Sequence, residues 1–427
     1  MMTFFLRPTL TSTLFAVSAH TQKWSRIMSR TEKRTLRPEG RRPRIAFVHE
    51  WFTHFAGSEK VLEAMHKDYP EADIFALIDV IPEKERPAFL KDRQIRTSFL
   101  QKLPFIRHYY RFLLPILPFA VEQINLAGYD IVVTNSHAVA KGVITGPNQL
   151  HICMCYTPMR YAWDLQDQYL ENSKFPGPMQ WLARWFLHKI RIWDVRTANG
   201  VDHFIAVSKY ISRRIRKVYR RESTVIHCNV ETDNFTIGAP AGDFYLAASR
   251  IVPYKKMKLI VEAFNEMPDK KLCVIGAGPG LKTLQAIAKS NVQVMGYQPY
   301  KVLLEKMQTA RAFVFAAEED FGIVPVEAQA CGTPVVAYSV GGAAETVVDG
   351  VTGVHFHEQS VPAICAAVER LERIHGGFDR ETIRAHALKF STQRFQREFS
   401  ELLEEKWRLH CEDIAIKPTE PKFEKIA

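Results

Sequence analysis

Short apolar runs alternate with amphipathic stretches along most of this chain. Arg44 to His49 reads as a buried strand, then Phe55-Ala56-Gly57-Ser58-Glu59 as a loop, then Lys60 to Met65 as a helix with apolar residues at helical spacing. Further strand-like runs stand at Ala72 to Leu77, Ile131 to Thr134, His151 to Tyr156 and Phe204 to Ser208, with helical segments between them. This alternation predicts parallel α/β sheets, since a parallel connection needs a crossover long enough to hold a helix. Gly238-Ala239-Pro240-Ala241-Gly242 has a linker's composition, and beyond it the pattern starts again. It runs through a strand at Phe244 to Ala248, a helix at Met257 to Asn265, a strand at Lys271 to Ile275, a helix at Leu281 to Ala288 and a strand at Val292 to Met295. The expected fold class is therefore α/β, with two doubly wound domains at 44–237 and 238–395, a helix and tail at 396–427, and a leader at 1–43.

Composition changes this picture little, but charge distribution refines it. The net charge of +11 would suit a polyanion. Yet residues 1–43 hold nine Lys or Arg against Glu32 and Glu39, so most of the excess lies in a basic, disordered leader, a transit signal or the stretch before a start at Met28. Arg213 to Arg221 reads as the solvated face of a helix, and without a recognisable module no nucleic-acid partner is expected. No apolar run reaches the roughly 18 residues of a membrane span. Seven scattered cysteines form no framework, and Cys153 and Cys155 read as buried strand residues, which fits a reducing, cytoplasmic setting. Phe99 to Phe119 mixes aromatic residues with Lys102, Arg107, His108 and Arg111; it reads either as core-covering helices or as a peripheral contact with the inner face of a membrane.

The candidate chemistry centres on Glu318-Glu319-Asp320-Phe321-Gly322-Ile323-Val324-Pro325-Val326-Glu327, followed by Gly332-Thr333-Pro334. Pro325 predicts a first helical position, Gly332 the left-handed residue past the helix end, and Pro334 a stop. The helix N-terminus would open at the carboxyl end of the strand Ala312 to Ala317, where open α/β sheets bind ligands. Taken alone, Glu327 also fits a carboxylate that complements the helix dipole.

This stretch resembles the E-x7-E motif of the family 4, or group 1, retaining glycosyltransferases, enzymes of the GT-B fold. Ser249-Arg250-Ile251-Val252-Pro253-Tyr254-Lys255-Lys256 is similar to the family's diphosphate-binding element, with Ser249 and Lys256 where glycine is frequent. Ile275-Gly276-Ala277-Gly278-Pro279 is similar to its glycine loop, and Gly341-Gly342-Ala343-Ala344-Glu345 to its G-G-x-x-E element. Ser136 to Gly142, Thr157 to Asp164 and Val201 to Ala206 look like the branch that includes O-antigen mannosyltransferases.

The resemblance implies two Rossmann-like domains facing across a cleft, with the C-terminal helices packing back towards the first. It implies transfer of a hexose with retention, from a nucleotide diphosphate sugar such as GDP-mannose to a glycan or lipid-linked acceptor. Glu319, Arg250 and Lys255 would be catalytic, with the two cations stabilising the leaving diphosphate. Glu327, Gly276, Gly278, Gly322, Ile323, Val324 and Gly57 would bind donor, and Glu327 would take the ribose. Neither metal nor cofactor is implied, and the chain contains no Asp-x-Asp. Many relatives carry a histidine near the sugar where this chain has Tyr156; Tyr156, His137 and Arg160 are its candidate acceptor or sugar contacts. Two rival readings remain: a dinucleotide-dependent oxidoreductase using Gly276 to Gly280, against which no acid follows about 20 residues on, and a catalytically silent nucleotide-sugar-binding protein.

Overall fold

The computed structural model describes residues 42–414 apart from 92, 174–175, 240–241 and 375–376, so the leader expected over 1–43 lies outside it save for its last two residues. The first sheet has strands β1 (Ile45–Phe52), β2 (Asp73–Asp79), β3 (Arg96–Thr97), β4 (Ile131–Ser136), β5 (Leu150–Cys155), β6 (His203–Ala206) and β7 (Ser223–Val225). All its pairings are parallel, in the order β3-β2-β1-β4-β5-β6-β7. The second has β8 (Phe244–Ala248), β9 (Lys271–Ile275), β10 (Val292–Gly296), β11 (Ala312–Phe315), β12 (Val335–Tyr338) and β13 (Gly353–Phe356). It too is parallel, in the order β10-β9-β8-β11-β12-β13. Each sheet reverses its winding once, between β1 and β4 and between β8 and β11. The loops leaving those four strands are where such a sheet places a ligand.

The helices that flank the switch points follow from their apolar spacing. Helix α1 (Gly57–Asp68) buries Val61, Leu62, Ala64 and Met65. After β5 come α2 (Gln166–Ser173) and α3 (Gly177–Ala198), and after β6 comes α4 (Lys209–Tyr219). In the second lobe, α5 (Met257–Asn265) buries Met257, Ile260, Val261 and Phe264, a stripe at three- and four-residue spacing whose larger side chains each stabilise by about 1.5–3 kcal/mol. Between β11 and β12 runs α6 (Ile323–Ala330), and after β12 the short α7 (Ala343–Thr346). The last helix, α8 (Thr392–Asp413), buries Phe395, Phe399, Leu402 and Leu403. It turns back onto the first lobe: Phe399 meets Tyr69 edge-on, and Gln396 Nε2 donates to the Ala64 carbonyl at 3.1 Å and to Asp68 at 2.9 Å.

Two expectations are adjusted. Helix α6 begins at Ile323, so Pro325 is its third residue rather than its first. The third backbone N–H of a helix also lacks an intrahelical partner, so proline is tolerated there for the same reason. The 99–119 segment divides between its two readings: Leu100, Ile106, Tyr110 and Leu117 enter the core, while Phe105 and Phe112 are 80% and 76% exposed. Among the described residues no helix is long and apolar enough to cross a membrane.

Candidate active site

On the first lobe, two buried carboxylates shape the loops that leave β1 and β4. Glu59 accepts from the Ala56 N–H, the Ser58 hydroxyl and His49 Nε2, at 3.1, 3.1 and 3.2 Å, and so holds the turn around Gly57. Burial works against its charge, but the bond and charge of His49 outweigh it and keep the carboxyl below its ordinary range. Glu50 is fully buried at the end of β1 and accepts the backbone N–H groups of His137, Ala138, Val139 and Ala140 at 2.7–3.1 Å. Four donors converging on one carboxylate fix the loop that carries His137. Tyr156, just past β5, donates its hydroxyl to Asn135 Oδ1 at 3.0 Å and lies 3.2 Å from the Ser58 carbonyl.

On the second lobe, Arg250 and Lys255 follow β8, while Glu319 and α6 follow β11. Lys255 and Glu319 form an ion pair, and Arg250 donates to the Tyr254 hydroxyl at 2.8 Å. Glu319 is held by backbone as well: its carbonyl accepts the Gly342 N–H at 2.8 Å and its main chain bridges to Gly341. Gly341 has φ +87°, and a Cβ there would stand 2.4 Å from the Glu319 carbonyl oxygen, so this close approach requires glycine. Glu327, one turn into α6, is half-buried; burial pushes its carboxyl up to about 7, with Lys60 opposing and Glu231 adding to the shift. Lys60, on α1 of the first lobe, is itself paired with Glu231.

Polar contacts join the two lobes around this point. Arg160 pairs with Asp320, whose carboxyl burial nonetheless raises, and Ser208 Oγ donates to the Asp320 carbonyl at 2.6 Å. Glu345 of α7 caps α4 from the other lobe, accepting the Lys209 and Tyr210 N–H groups at 2.8 and 2.7 Å, with His227 at 3.2 Å. Burial opposes its charge, yet these bonds hold Glu345 below the usual carboxylate range. The Tyr210 hydroxyl donates to Glu318 at 2.6 Å. Between the lobes is a cleft of about 960 Å³ lined from both sides.

Of the residues singled out in the sequence, this cleft brings together Gly57, His137, Tyr156 and Arg160 on one side, and Arg250, Lys255, Glu319, Gly322, Ile323 and Val324 on the other. Glu327, Gly276 and Gly278 do not line it. The glycine loop is tied instead to the turn after β8, where the Ile251 N–H donates to the Ala277 carbonyl at 2.9 Å. Sequence reasoning missed Glu50, Asp320, Trp51, Tyr161 and Tyr169. Asp320 sits inside the motif and carried a readable signal, a third carboxylate beside Glu319, whereas Glu50 gave none because its donors lie some 87 residues away.

Two facing α/β lobes with their switch-point loops converging on one cleft define the class: a GT-B glycosyltransferase fold. Residues 231–386 match the family described as "Glycosyl transferases group 1". The chain is similar to the "GDP-mannose-dependent alpha-(1-6)-phosphatidylinositol monomannoside mannosyltransferase" of Mycolicibacterium smegmatis, 34% identical over 205 residues covering 40% of this chain and 53% of that one. It is also similar to the "D-inositol 3-phosphate glycosyltransferase" of Mycobacterium leprae, 28% identical over 229 residues covering 47% and 54%. The chain thus spans about half the length of the curated relatives it matches. Among solved structures, a sucrose-phosphate synthase from Thermosynechococcus elongatus superposes with TM-score 0.67 at 18% identity, covering 86% of this chain and 100% of that one. A lipopolysaccharide outer core galactosyltransferase gives 0.61 at 18%, covering 85% and 99%. At such identity the likeness shows the fold.

Proposed function

We propose that the protein is a retaining hexosyltransferase that moves a sugar, mannose by preference, from a nucleoside diphosphate sugar to a hydroxyl of a lipid-linked or polysaccharide acceptor. One observation carries this reading: Lys255, Arg250, Glu319 and the N-terminus of α6 converge in a single cleft at the second sheet's switch point. Two cations and the unpaired N–H groups at Ile323 and Val324 form a seat for a diphosphate. As the glycosidic bond breaks, charge grows on that diphosphate, so fixed cations stabilise the transition state more than the bound donor. Lys255 would exchange Glu319 for a phosphate oxygen, which frees the Glu319 carboxylate to accept sugar hydroxyls. Glu327 would accept the ribose hydroxyls.

GDP-mannose is favoured because two relatives are named as GDP-mannose-dependent mannosyltransferases. A lipid-linked acceptor, met at a membrane surface, is favoured by exposed Phe105, Phe112 and Phe119 beside exposed Lys102 and Arg107. Retention rests on the family resemblance. The test is proton NMR of the protein with GDP-mannose, UDP-glucose, UDP-galactose and NAD in turn. The expected result is release or transfer of mannose with its anomeric configuration kept. An inverted product, or binding of NAD with no nucleotide sugar turned over, would overturn the proposal.

A further inference from the structure

Behind the turn that carries Arg250 and Lys255 lies a second cavity, of about 450 Å³, between α5 and the helix Leu281–Ile287. Its size falls within the roughly 300–1,000 Å³ of small-molecule pockets. Its walls are mostly apolar: Ile251, Val252, Pro253, Met257, Leu259 and Leu284. Val252 and Pro253 also line the interlobe cleft, so this turn is the partition between the two spaces. Backbone hydrogen bonds clasp it. The Gly280 N–H donates to the Ile251 carbonyl at 3.3 Å, and the Lys255 and Lys256 N–H groups donate to the Val252 and Pro253 carbonyls at 3.1 Å each. Whatever fills the cavity therefore packs against the back of the loop that positions both cations.

Charge at this cavity is one-sided. Lys258 is paired with Glu262 at 3.1 Å, but the half-buried Lys256 has neither a hydrogen bond from its ammonium nor a carboxylate partner among the described residues. Its backbone is left-handed as well, with φ +55° and ψ +25°. An L side chain is disfavoured in that conformation, and glycine would hold the turn without strain. Strain and partial loss of hydration thus fall on the same residue, which fits a charge that has a task there. The lining separates the possible occupants. A purely apolar molecule would cover the ammonium without pairing it, and a cation would be repelled. A nucleotide or sugar needs several polar partners, whereas Thr283 supplies the one hydroxyl of the lining. An apolar body with a single anionic end meets both the walls and the lysine.

We propose that this cavity is a regulatory site for a small amphiphilic anion, an apolar body ending in one carboxylate or phosphate that pairs with Lys256. An occupant packs against Val252 and Pro253 from behind, so the turn has less freedom to lose when a diphosphate seats on Arg250 and Lys255. Occupation of the cavity therefore tightens nucleotide binding, and by linkage the nucleotide tightens the anion to the same degree. The regulatory effect rests on the donor reading above; the binding of the anion does not.

The test uses the full chain and saturation-transfer NMR, with octanoate and octyl phosphate as anionic probes and octanol and octyltrimethylammonium as neutral and cationic controls. Calorimetry reads GDP affinity with and without the bound anion. At least one anion is expected to bind, about tenfold more tightly than octanol, and the arm that binds tells carboxylate from phosphate. The cationic control should not bind. Lys256→Gly relieves the turn while removing the charge, and should abolish the preference for the anion over octanol. Thr283→Trp puts an indole into the cavity from an exposed helix position and should remove binding of every octyl compound. GDP should bind about fivefold more tightly with the anion present. No anion binding, an anion held no more tightly than octanol, or binding untouched by both substitutions overturns the site and leaves the donor reading standing. Anion binding through Lys256 that leaves GDP affinity unchanged overturns the regulatory role. Anion binding in a protein that takes no nucleotide or nucleotide sugar refutes the donor reading, and with it that role.

Discussion

Glu327→Gln gives the sharpest check on the donor site, because the carboxyl is predicted to act twice with opposite pH dependence. In the free protein, burial raises it from an ordinary 4.5 to about 7. Between those two values the folded protein keeps a proton that the unfolded chain has released, so stability is highest at low pH and falls as pH rises through that window. Donor binding runs the other way, since a ribose hydroxyl donates more strongly to a carboxylate than to a carboxylic acid. With the group near 7, the ionised fraction grows from about one tenth at pH 6 to about nine tenths at pH 8, so affinity should rise about tenfold. Calorimetric titration with GDP-mannose at pH 6, 7 and 8 reads this directly, because its doubly esterified diphosphate does not titrate in that range. Melting temperature without ligand reads the other limb. Glu327→Gln should flatten both curves. A parent protein with no pH slope in affinity, or a variant that keeps the parent's slope, would refute the assignment of Glu327 to the ribose.

Other expectations test separate parts of the argument. Lys255→Ala should weaken donor binding, whereas Glu319→Gln should lower kcat with little change in donor affinity; matching, near-normal kinetics in both would remove the catalytic assignment. Asp194 is buried against Lys141 and also accepts from Trp163 Nε1 at 2.8 Å, so Asp194→Asn should cost about 3–5 kcal/mol in urea unfolding of the first lobe by stranding the lysine. Gly276→Ala places a Cβ 1.9 Å from the Ser249 carbonyl oxygen, so it should displace the turn carrying Arg250 and weaken nucleotide binding; full affinity would show the turn to be free of that loop. Glu345→Gln loses a charged cap shared by the two lobes, and donor-dependent kcat should drop with the variant still folded by circular dichroism.

Much of the second lobe was legible because its signals are local. The helix Met257–Asn265 and the strands at 244–248 and 271–275 stand where the sequence pattern places them, since apolar period and glycine punctuation mark them within a few residues. The first lobe was harder. Its strand β1 runs on through Glu50 to Phe52, because a carboxylate there is satisfied by N–H groups from a distant loop, and that satisfaction leaves no trace in the neighbouring sequence. The basic run at 213–221 has the pattern of a solvated helix face, yet Arg214 pairs with Asp164 across the first lobe.

The sequence by itself determined the alternation of strand and helix, the division into two sheets and the residue types of the proposed diphosphate seat, because periodicity and turn chemistry act over a few residues. Only the tertiary structure decided which of those residues share a space. Glycines at 276 and 278 lock one turn to another, away from the cleft, and the Tyr156 hydroxyl is consumed by Asn135. The rings of Trp51, Tyr161 and Tyr169, silent in the sequence, come together on one wall opposite Arg250. The reason is physical: a side chain's partners are set by which strands lie side by side, and in a parallel sheet those strands are joined only through long crossovers.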